Sequence, residues 1–387
     1  MTSDEKRATK NGEVVLMGVG DVGPIHEPMA AYSALARPVL AQADLRFAQV
    51  ERVYSERGAL QVHSGGAHSR VKPNMASVFT DCGFDVVSVA SNHAMDWGED
   101  ALLDTIALFR ELGMAVIGAG RNLREARRPA VIERNGVRVA FLAYCSILQT
   151  GYAAGHDKPG VAPLRAHTYY EPHDYQAGVP PRVVTVPYEE DLAAMVEDIA
   201  AARKTANVVV LSLHWGIHFI PRVIADYQVA VAKAAFAAGA DLILGHHAHT
   251  PKAIGVHGGK TCFYSLSNFI MSSTAKTPEK AAEFARQYGV VMDPEYPHLA
   301  YGADAKRSLI AKAVLSRDGV RKVSFLPVLI DRQLRPEVLR GGDPRFEDAV
   351  RFMEWASEGH EHRFMVEDDE VLITAPAETR AGAMVHS

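Results

Sequence analysis

The stretch that decides the fold is GADLILGHHAHT, Gly239 to Thr250, in which three histidines fall within four residues after an apolar run. The preceding segment, Asp226–Ala240, is rich in alanine and predicts a helix that stops at Gly239. The short apolar run DLIL, followed by glycine, favours a buried strand. In extended backbone His247 and His249 point the same way, whereas a tight turn splays them towards two different ions. Because neutral imidazoles bind Zn²⁺, Mn²⁺ and iron, the stretch predicts a strand that ends in metal ligands.

The rest of the chain alternates strand-like and helix-like segments. Short apolar runs that end in turns predict strands, and amphipathic or alanine-rich stretches that end at glycine predict helices. Such alternation indicates a layered α/β fold. The predicted strands are Glu13–Asp21, Ala43–Glu51, Asp85–Val89, 115–120, 137–146, Asn207–Gly216, 241–249 and Lys260–Met271, and the predicted helices are Gly98–Met114, Glu189–Arg203 and Asp226–Ala240.

Residues of the kinds that bind metals stand at or just beyond the carboxyl ends of five predicted strands. In open α/β sheets this is the edge where ligands bind. Five such segments predict one metal centre, with candidate ligands Asp21, Glu51, Asn92, His214, His247 and His249. Glu51 offers a carboxylate able to bridge two cations, and His93 is a candidate proton donor. Asp96 joins His93 as a catalytic candidate, in the role of a supporting carboxylate.

Each of these residues also has a structural interpretation. A buried histidine is often a hydrogen-bonded core residue, and Asn92 with His93 can cap the helix that follows. Glu51 can be an ordinary solvated glutamate, and Asp96 can form a turn. His218, two residues after the HWG motif, fits either a contact with substrate or an ordinary surface position. The agreement of five segments favours the metal centre.

Composition excludes several classes of protein. The 387 residues include 41 Lys and Arg against 46 Asp and Glu, so a nucleic-acid partner is not expected. No run of about 18 apolar residues occurs, and the charged start MTSDEKRATKNGE reads as neither a secretory signal nor a membrane anchor. The scattered Cys82, Cys145 and Cys262 favour buried thiols in a reducing compartment, so the expected location is cytoplasmic. GAGRNL is not a dinucleotide-binding fingerprint, and no G-x-S-x-G motif marks a serine nucleophile.

The predicted organisation is one domain over residues 13–330 and a C-terminal extension over 331–387, packed on it or partly disordered. Within the domain, Gln149–Pro187 lacks a clear period and indicates a long loop excursion, a candidate lid or substrate loop. The extension predicts a helix at Pro344–Ala356 and a strand at Val371–Thr374. Residues of the excursion that could supply specificity are Tyr152, His156, His167, Tyr169, Tyr170 and His173.

These motifs together resemble the CapA family of bacterial capsule (poly-γ-glutamate) synthesis proteins, which looks like a branch of the calcineurin-like metallophosphoesterases. The resemblance runs in family order over about Glu13 to Leu329. It implies a four-layer α/β/β/α sandwich and a centre of two divalent metal ions, Mn, Fe or Zn. The matching motifs are GD at Gly20-Asp21, QVE at Gln49–Glu51, ASNHAMDWG at Ala90–Gly98, HWG at His214–Gly216, GADLILGHHAH at Gly239–His249 and YSLSNF at Tyr264–Phe269.

The resemblance also implies a role for each site residue. Asp21 and His249 would hold one metal ion. The other would be held by Asn92, His214 and His247. Glu51 would bridge the two ions, and His93 would protonate the leaving group.

The chain departs from the metallophosphoesterase pattern at two ligand positions. These enzymes usually begin D-x-H, and Gly23 stands where that histidine would be, so the first metal would gain a ligand from His26 or Gln49. The bridging residue is a glutamate instead of an aspartate. Candidate substrate-binding residues are His26, Gln49, Arg70, Tyr152, His218 and His246.

The expected function is a cytoplasmic dinuclear metal-dependent hydrolase that attacks a phosphoester or a carboxylate-bearing amide with a metal-activated water. The substrate is expected to be a small molecule or a short polymer, and homo-oligomer formation stays open. One alternative is a non-catalytic metal-binding partner in poly-γ-glutamate or capsule synthesis. The other is an iron-dependent redox enzyme with the same ligands.

Overall fold

A computed structural model gives the structure of residues 12–62, 64 and 69–376. The charged start, residues 1–11, and the last part of the predicted extension, 377–387, lie outside these described residues. Within them the chain forms two main β-sheets, of ten and six strands. In spatial order the strands of the larger sheet are Arg363–Glu367, Glu370–Thr374, Gly319–Ile330, Arg307–Ser316, Glu13–Gly23, Leu45–Val50, Val86–Ser88 and Ala115–Ile117. Two further strands join it: Asn268–Met271 pairs with Glu13–Gly23, and Pro336–Val338 pairs with Gly319–Ile330. In spatial order the strands of the smaller sheet are Ile254–His257, Lys260–Phe263, Leu242–His246, Val208–His214, Val137–Cys145 and Ala130–Arg134.

Parallel pairing at the centre of each sheet brings several carboxyl ends to one edge. In the larger sheet Glu13–Gly23 runs parallel to Leu45–Val50, which in turn runs parallel to Val86–Ser88. In the smaller sheet Val208–His214 runs parallel to Leu242–His246. Every residue of these last two strands is buried, as expected for parallel strands covered on both faces. The predicted metal ligands therefore come from neighbouring strand ends.

The two sheets pack face to face through small and aromatic side chains. The rings of Phe47 and Phe141, one from each sheet, are stacked with centroids 6.2 Å apart. A Cβ added at Gly18 would lie 2.8 Å from the Leu244 side chain, so glycine allows the sheets to approach closely there. Burial of a phenylalanine-sized side chain contributes about 1.5–3 kcal/mol, so this interface is a large part of the stability of the fold.

Helices cover the outer faces of both sheets, which confirms the predicted four-layer α/β/β/α sandwich. Glu189–Arg203 and Asp226–Ala238 pack on the smaller sheet, and Gly98–Glu111 packs beside Ala115–Ile117 of the larger one. Asp226–Ala238 ends where Gly239 adopts a left-handed conformation with φ of 117°. The helices are Met29–Ser33, Arg37–Leu40, Ser77–Cys82, Gly98–Glu111, Leu123–Ala126, Glu189–Arg203, Asp226–Ala238, Pro278–Tyr288 and Pro344–Ser357, with 3₁₀ turns at Pro73–Ala76 and Ala303–Lys306.

The prediction of one continuous strand over Lys260–Met271 was wrong. Lys260–Phe263 belongs to the smaller sheet, and Asn268–Met271 pairs with the first strand of the larger sheet. The residues between them cross from one sheet to the other, and Ser267 has a positive φ of 71° at the crossing. The apolar alternation of this segment is the same on either sheet, so periodicity could not locate the crossing.

The loop excursion contains strands that the sequence did not predict. Ala166–Glu171 and Arg182–Pro187 form an antiparallel hairpin, and Gly160–Val161 pairs with Ala119–Gly120. The hairpin is largely exposed, so it lacks the alternation of buried residues that would have marked it as strand.

The described part of the C-terminal extension joins the larger sheet. Its helix, Pro344–Ser357, begins at Asp343, whose carboxylate accepts a hydrogen bond from the Arg345 backbone N–H. Its strand Glu370–Thr374 pairs with Gly319–Ile330. None of the helices in the described residues combines the length and apolar character needed to cross a bilayer.

Gly20→Ala is expected to destabilise the protein by about 3 kcal/mol, near the upper end of overpacking costs. A Cβ at Gly20 would lie 1.9 Å from the backbone oxygen of Ser267, and a backbone atom cannot move away as a side chain can. The free energy of unfolding in urea measures the effect. The control is Gly113→Ala, because Gly113 has a positive φ of 85° but nothing within 4 Å of the added Cβ. It should cost only the backbone strain, about 1–2 kcal/mol, and equal costs for the two variants would contradict the packing argument.

Candidate metal centre

The predicted ligand residues meet at the edge where the two sheets face each other. Asp21 lies in the first strand, and Glu51 directly follows the strand Leu45–Val50. His214 is the last residue of its strand, and its Cα is paired with that of His246 in the neighbouring strand. Parallel pairing therefore places these side chains together although they are far apart in the sequence.

One group of three ligand atoms gathers around the Asn92 side chain. The Asn92 Oδ1 atom lies 2.7 Å from His214 Nε2 and 3.3 Å from His247 Nδ1. The two imidazole nitrogens lie 3.1 Å apart. These are the three residues expected to share one metal ion, and the structure brings them together.

A second group forms around Asp21 and His249, with Glu51 between the two groups. The His249 Nδ1 atom lies 3.5 Å from Asp21 Oδ2. One oxygen of Glu51 lies 3.7 Å from His214 Nε2, and the other lies 3.8 Å from His249 Nε2. Single ligand atoms of Asp21, Glu51 and His214 all fall within 4.8 Å of one another. Glu51 thus lies between the two groups, with one carboxylate oxygen towards each.

The chemistry of this cluster fits divalent cations. Within the described part of the chain, the buried Asp21 Oδ1 and Glu51 Oε1 atoms have no hydrogen-bond partner, which is costly for carboxylates. Burial raises the pKa of Asp21 from 3.8 to about 8, although the His247 backbone N–H donates a hydrogen bond to it. Burial, together with the nearby Asp21, also raises the pKa of Glu51. Burial lowers the pKa of His214, which keeps its ring neutral and available as a ligand.

The backbone around the histidine stretch is strained. His247 and His249 have positive φ values of 90° and 54°, in a region that side-chain-bearing residues rarely adopt. Each such residue costs about 1–3 kcal/mol, and such strain concentrates at functional sites. Because of this turn, His247 reaches the group around Asn92, whereas His249 reaches Asp21.

The candidate proton donor stands beside the Asn92 group. His93 Nδ1 lies 2.7 Å from Asp96 Oδ2, and the Tyr152 hydroxyl donates a hydrogen bond of 2.9 Å to Asp96 Oδ1. Both oxygens of this buried carboxylate are therefore engaged. Burial raises the pKa of Asp96, but the hydrogen bond and charge of His93, together with the hydroxyls of Ser69 and Tyr152, outweigh burial and lower this pKa overall, so Asp96 is ionised.

The other predicted substrate-binding residues lie in different environments. His26 is exposed and makes an edge contact with the ring of His298. The Gln49 amide donates to two backbone carbonyls, and His246 is completely buried with its Nδ1 atom 4.0 Å from Asp21 Oδ1. The ring of His218 lies against that of His247, with centroids 3.8 Å apart and the ring planes tilted by 35°. In the excursion, His156, His167, Tyr169, Tyr170 and His173 are exposed, whereas Tyr152 is buried.

Arg70 lines a surface groove of about 540 Å³, together with Glu27, Glu56 and Lys72. Its guanidinium lies 4.3 Å from the ring of Trp97, the residue directly after Asp96. Among the described residues no carboxylate comes within ion-pairing distance of Arg70.

Asn268 and Arg52 lie against this centre and were not predicted from the sequence. Asn268 Oδ1 lies 2.8 Å from His249 Nδ1, and the motif YSLSNF contains it, but at the start of a strand instead of the end. Arg52 is buried beside Gly23, and its guanidinium donates to the backbone oxygens of Gly23 and Ser272. A Cβ at Gly23 would lie 2.6 Å from the Arg52 side chain, so Arg52 occupies the space next to the position where a D-x-H histidine would stand.

Comparison with protein families settles the relationship that the motifs suggested. The sequence profile of the bacterial capsule synthesis protein PGA_cap matches residues 10–273, more than half of the chain. The chain belongs to the PGA_cap family. All six candidate metal ligands, His93 and Tyr152 lie inside the matched residues, whereas the C-terminal extension lies outside them.

Curated relatives of this PGA_cap chain carry names from capsule and polymer synthesis. The PGA biosynthesis protein CapA of Bacillus subtilis is 32% identical over 206 residues, which cover 52% of this chain and 47% of that protein. The capsule biosynthesis protein CapA of Bacillus anthracis is 30% identical over 207 residues, which cover 52% of this chain and 44% of that protein. A probable polyglutamine synthesis accessory protein of Mycobacterium tuberculosis is 28% identical over 210 residues, which cover 52% and 49%. The matched region is thus about half the length of these relatives.

Among solved structures, the calcineurin-like phosphoesterase YfkN of Bacillus subtilis is 13% identical, with a TM-score of 0.39. The comparison covers 89% of this chain and 96% of that one. At this level of likeness, a function for the PGA_cap chain has to rest on its own site and on its family.

Proposed function

We propose that this PGA_cap protein is a dinuclear metal-dependent hydrolase. The observation that carries the proposal is Glu51, whose two oxygens face His214 in one ligand group and His249 in the other. Asp21, His249 and Glu51 would hold one ion, and Asn92, His214, His247 and Glu51 would hold the other. Two divalent cations, Mn, Fe or Zn, would lower the pKa of a bound water and polarise the bond to be cleaved.

The chain's own residues supply the remaining chemistry. Asp96 holds Nδ1 of His93, and Nε2 is the nitrogen that would give a proton to the leaving atom. Arg70 has no acidic partner among the described residues and lines the groove beside Trp97, which suits an anionic group of the substrate. The substrate class we propose is a small molecule or short polymer with a phosphoester or a carboxylate-bearing amide bond, in keeping with the names of the relatives.

A second candidate is an accessory role in polymer synthesis in which the metal centre does not catalyse. The Mycobacterium tuberculosis relative, named as a probable accessory protein of polyglutamine synthesis, favours it. The hydrolase needs His93 as a proton donor, whereas the accessory role does not. Because His93 is not among the proposed metal ligands, its substitution can test this difference without removing the metal.

Metal analysis combined with His93→Ala separates these functions. Protein purified without chelators should contain about two equivalents of Mn, Fe or Zn by inductively coupled plasma mass spectrometry, and it should hydrolyse members of a phosphoester and amide panel. His93→Ala should keep the metal and lose about 10²- to 10⁴-fold in kcat. Two bound metals without any hydrolysis would favour the accessory role. A protein without metal above background would contradict both.

A further inference from the structure

We propose that Tyr152, from the loop excursion, is a positioning residue that fixes the proton donor His93 through Asp96. This inference deepens the proposed hydrolase function and rests on it. Tyr152 is 3% exposed and Asp96 is 2% exposed, so neither side chain can turn towards bulk water. The hydrogen bond between them joins residues that lie 56 positions apart in the sequence.

The geometry of Asp96 explains why a second hydrogen bond matters. Its Oδ2 faces His93 Nδ1 at 2.7 Å, and its Oδ1 accepts the Tyr152 hydroxyl at 2.9 Å. A carboxylate held on one oxygen alone can rotate about its terminal torsion, which is broad and roughly twofold. With both oxygens held, the carboxylate plane is fixed, and so are the tautomer and ring orientation of His93.

The backbone around Tyr152 is rigid enough to serve this purpose. The Tyr152 N–H donates to Gln149, and the Tyr152 oxygen accepts from the Val161 N–H, each over 3.0 Å. Val161 is in turn paired with Ala119 at the edge of the sandwich. A Cβ at Gly160 would lie 2.6 Å from the Tyr152 oxygen, so the chain closes tightly around this residue. The start of the excursion is thus tied to the fold, and its hydroxyl has a defined position.

The step that Tyr152 supports is a single proton transfer. The His93 imidazolium gives its Nε2 proton to the leaving oxygen or nitrogen as an attacking water oxygen bonds to phosphorus or carbon and the bond from that centre to the leaving atom breaks. The electron pair of the broken bond stays on the leaving atom, and His93 becomes a neutral imidazole whose Nδ1–H still donates to Asp96. Substrates whose leaving group is stable as an anion do not need this proton.

Tyr152→Phe tests the role through its dependence on the leaving group. With a poor leaving group, such as an alkyl alkoxide, kcat should fall about 10- to 100-fold with little change in KM, whereas with nitrophenolate it should stay within about twofold. In a His93→Ala background the same substitution should have no further effect, because the two residues act as one unit. Metal content should equal that of the wild type.

Tyr144→Phe is the matched control. Tyr144 is also buried, and its hydroxyl donates to Asp198 over 2.6 Å, but this pair lies under the helices of the smaller sheet and Asp198 is bound by Arg127. The control removes the same kind of hydrogen bond at a place that is not connected to His93. Its effect on kcat should therefore be the same for both leaving groups.

A spectroscopic measurement keeps the inference testable if no substrate is found. In the metal-free protein, the Nδ1 proton of His93 should give a low-field ¹H resonance in ¹⁵N-histidine-labelled samples, and Tyr152→Phe should shift or broaden it, whereas Tyr144→Phe should not. If the wild type hydrolyses no substrate, the hydrolase proposal is wrong, and the His93 resonance still tests whether Tyr152 positions His93. An unchanged His93 signal, or equal losses for both leaving groups, would overturn the positioning role of Tyr152.

Discussion

Glu51→Gln is expected to remove both metal ions and to lower hydrolysis by at least about a thousandfold. Glu51 is the residue whose two oxygens face different ligand groups, through His214 at 3.7 Å and His249 at 3.8 Å. The Ser91 hydroxyl donates to one of these oxygens and fixes the carboxylate. The glutamine amide has the same shape but offers one uncharged oxygen, whereas the carboxylate offers two oxygens that share a negative charge. The amide therefore cannot bridge two cations.

The metal stoichiometry of three variants makes this prediction specific. Asp21→Asn should retain about one ion, held by the Asn92 group, and Asn92→Ala should retain about one, held by Asp21 and His249, whereas Glu51→Gln should retain neither. Mass spectrometry of metals per folded protein measures each case. Asp191→Asn is the control, because it removes a buried carboxylate that is paired with Arg165 away from the centre. If Glu51→Gln loses no more metal than Asp21→Asn, Glu51 is a ligand to one ion and does not bridge.

The sequence was sufficient to predict the gathering of Asp21, Glu51, Asn92, His214 and the histidine stretch. Each of these lies at the end of a short buried run, and parallel strands of one sheet align their carboxyl ends, so local patterns carried long-range information. The helix Glu189–Arg203 was predicted with the bounds that the structure shows. Acidic residues in the first turn of this helix and Arg203 in its last turn are the charge pattern typical of helix ends.

Other features depend on contacts that no local pattern encodes. The passage of residues 264–267 between the sheets brings Asn268 to His249, yet the same apolar alternation would suit an unbroken strand. Arg52 reads as a surface charge directly after Glu51 and is instead buried against Gly23. Tyr152 reaches Asp96 only because the excursion folds back on the sandwich, which is a tertiary effect.

The stability gained from metal is expected to rise with pH between about 6.5 and 8. Without metal, the folded state keeps protons on the Asp21 and Glu51 carboxyls, whose pKa values burial raises, to about 8 for Asp21. The unfolded chain releases those protons near its ordinary pKa, so these groups contribute stability at low pH that is lost as pH rises through the folded pKa. The loss is at most about 1.4 kcal/mol per pH unit for each carboxyl.

The buried histidines act in the opposite sense at lower pH. Burial lowers the pKa of His246 to about 3, and it also lowers the pKa values of His214, His247 and His249. The unfolded chain binds protons at these groups below their ordinary pKa of 6.5, so their contribution to stability rises with pH up to that value. Above it the carboxyls dominate, and the melting temperature of the metal-free protein should fall from pH 6.5 to pH 8.

Divalent ions reverse this trend, because they bind the ionised carboxylates and the neutral imidazoles that higher pH provides. Melting temperatures of chelator-treated protein, with and without Mn²⁺ or Zn²⁺, at several values between pH 6.5 and 8 should therefore diverge as pH rises. Asp21→Asn should flatten the slope of the metal-free protein, since the amide does not titrate, whereas Asp191→Asn should leave that slope unchanged. A metal-induced increment that is independent of pH would mean that Asp21 and Glu51 are already ionised in the metal-free fold, and that the cations do not replace protons at this centre.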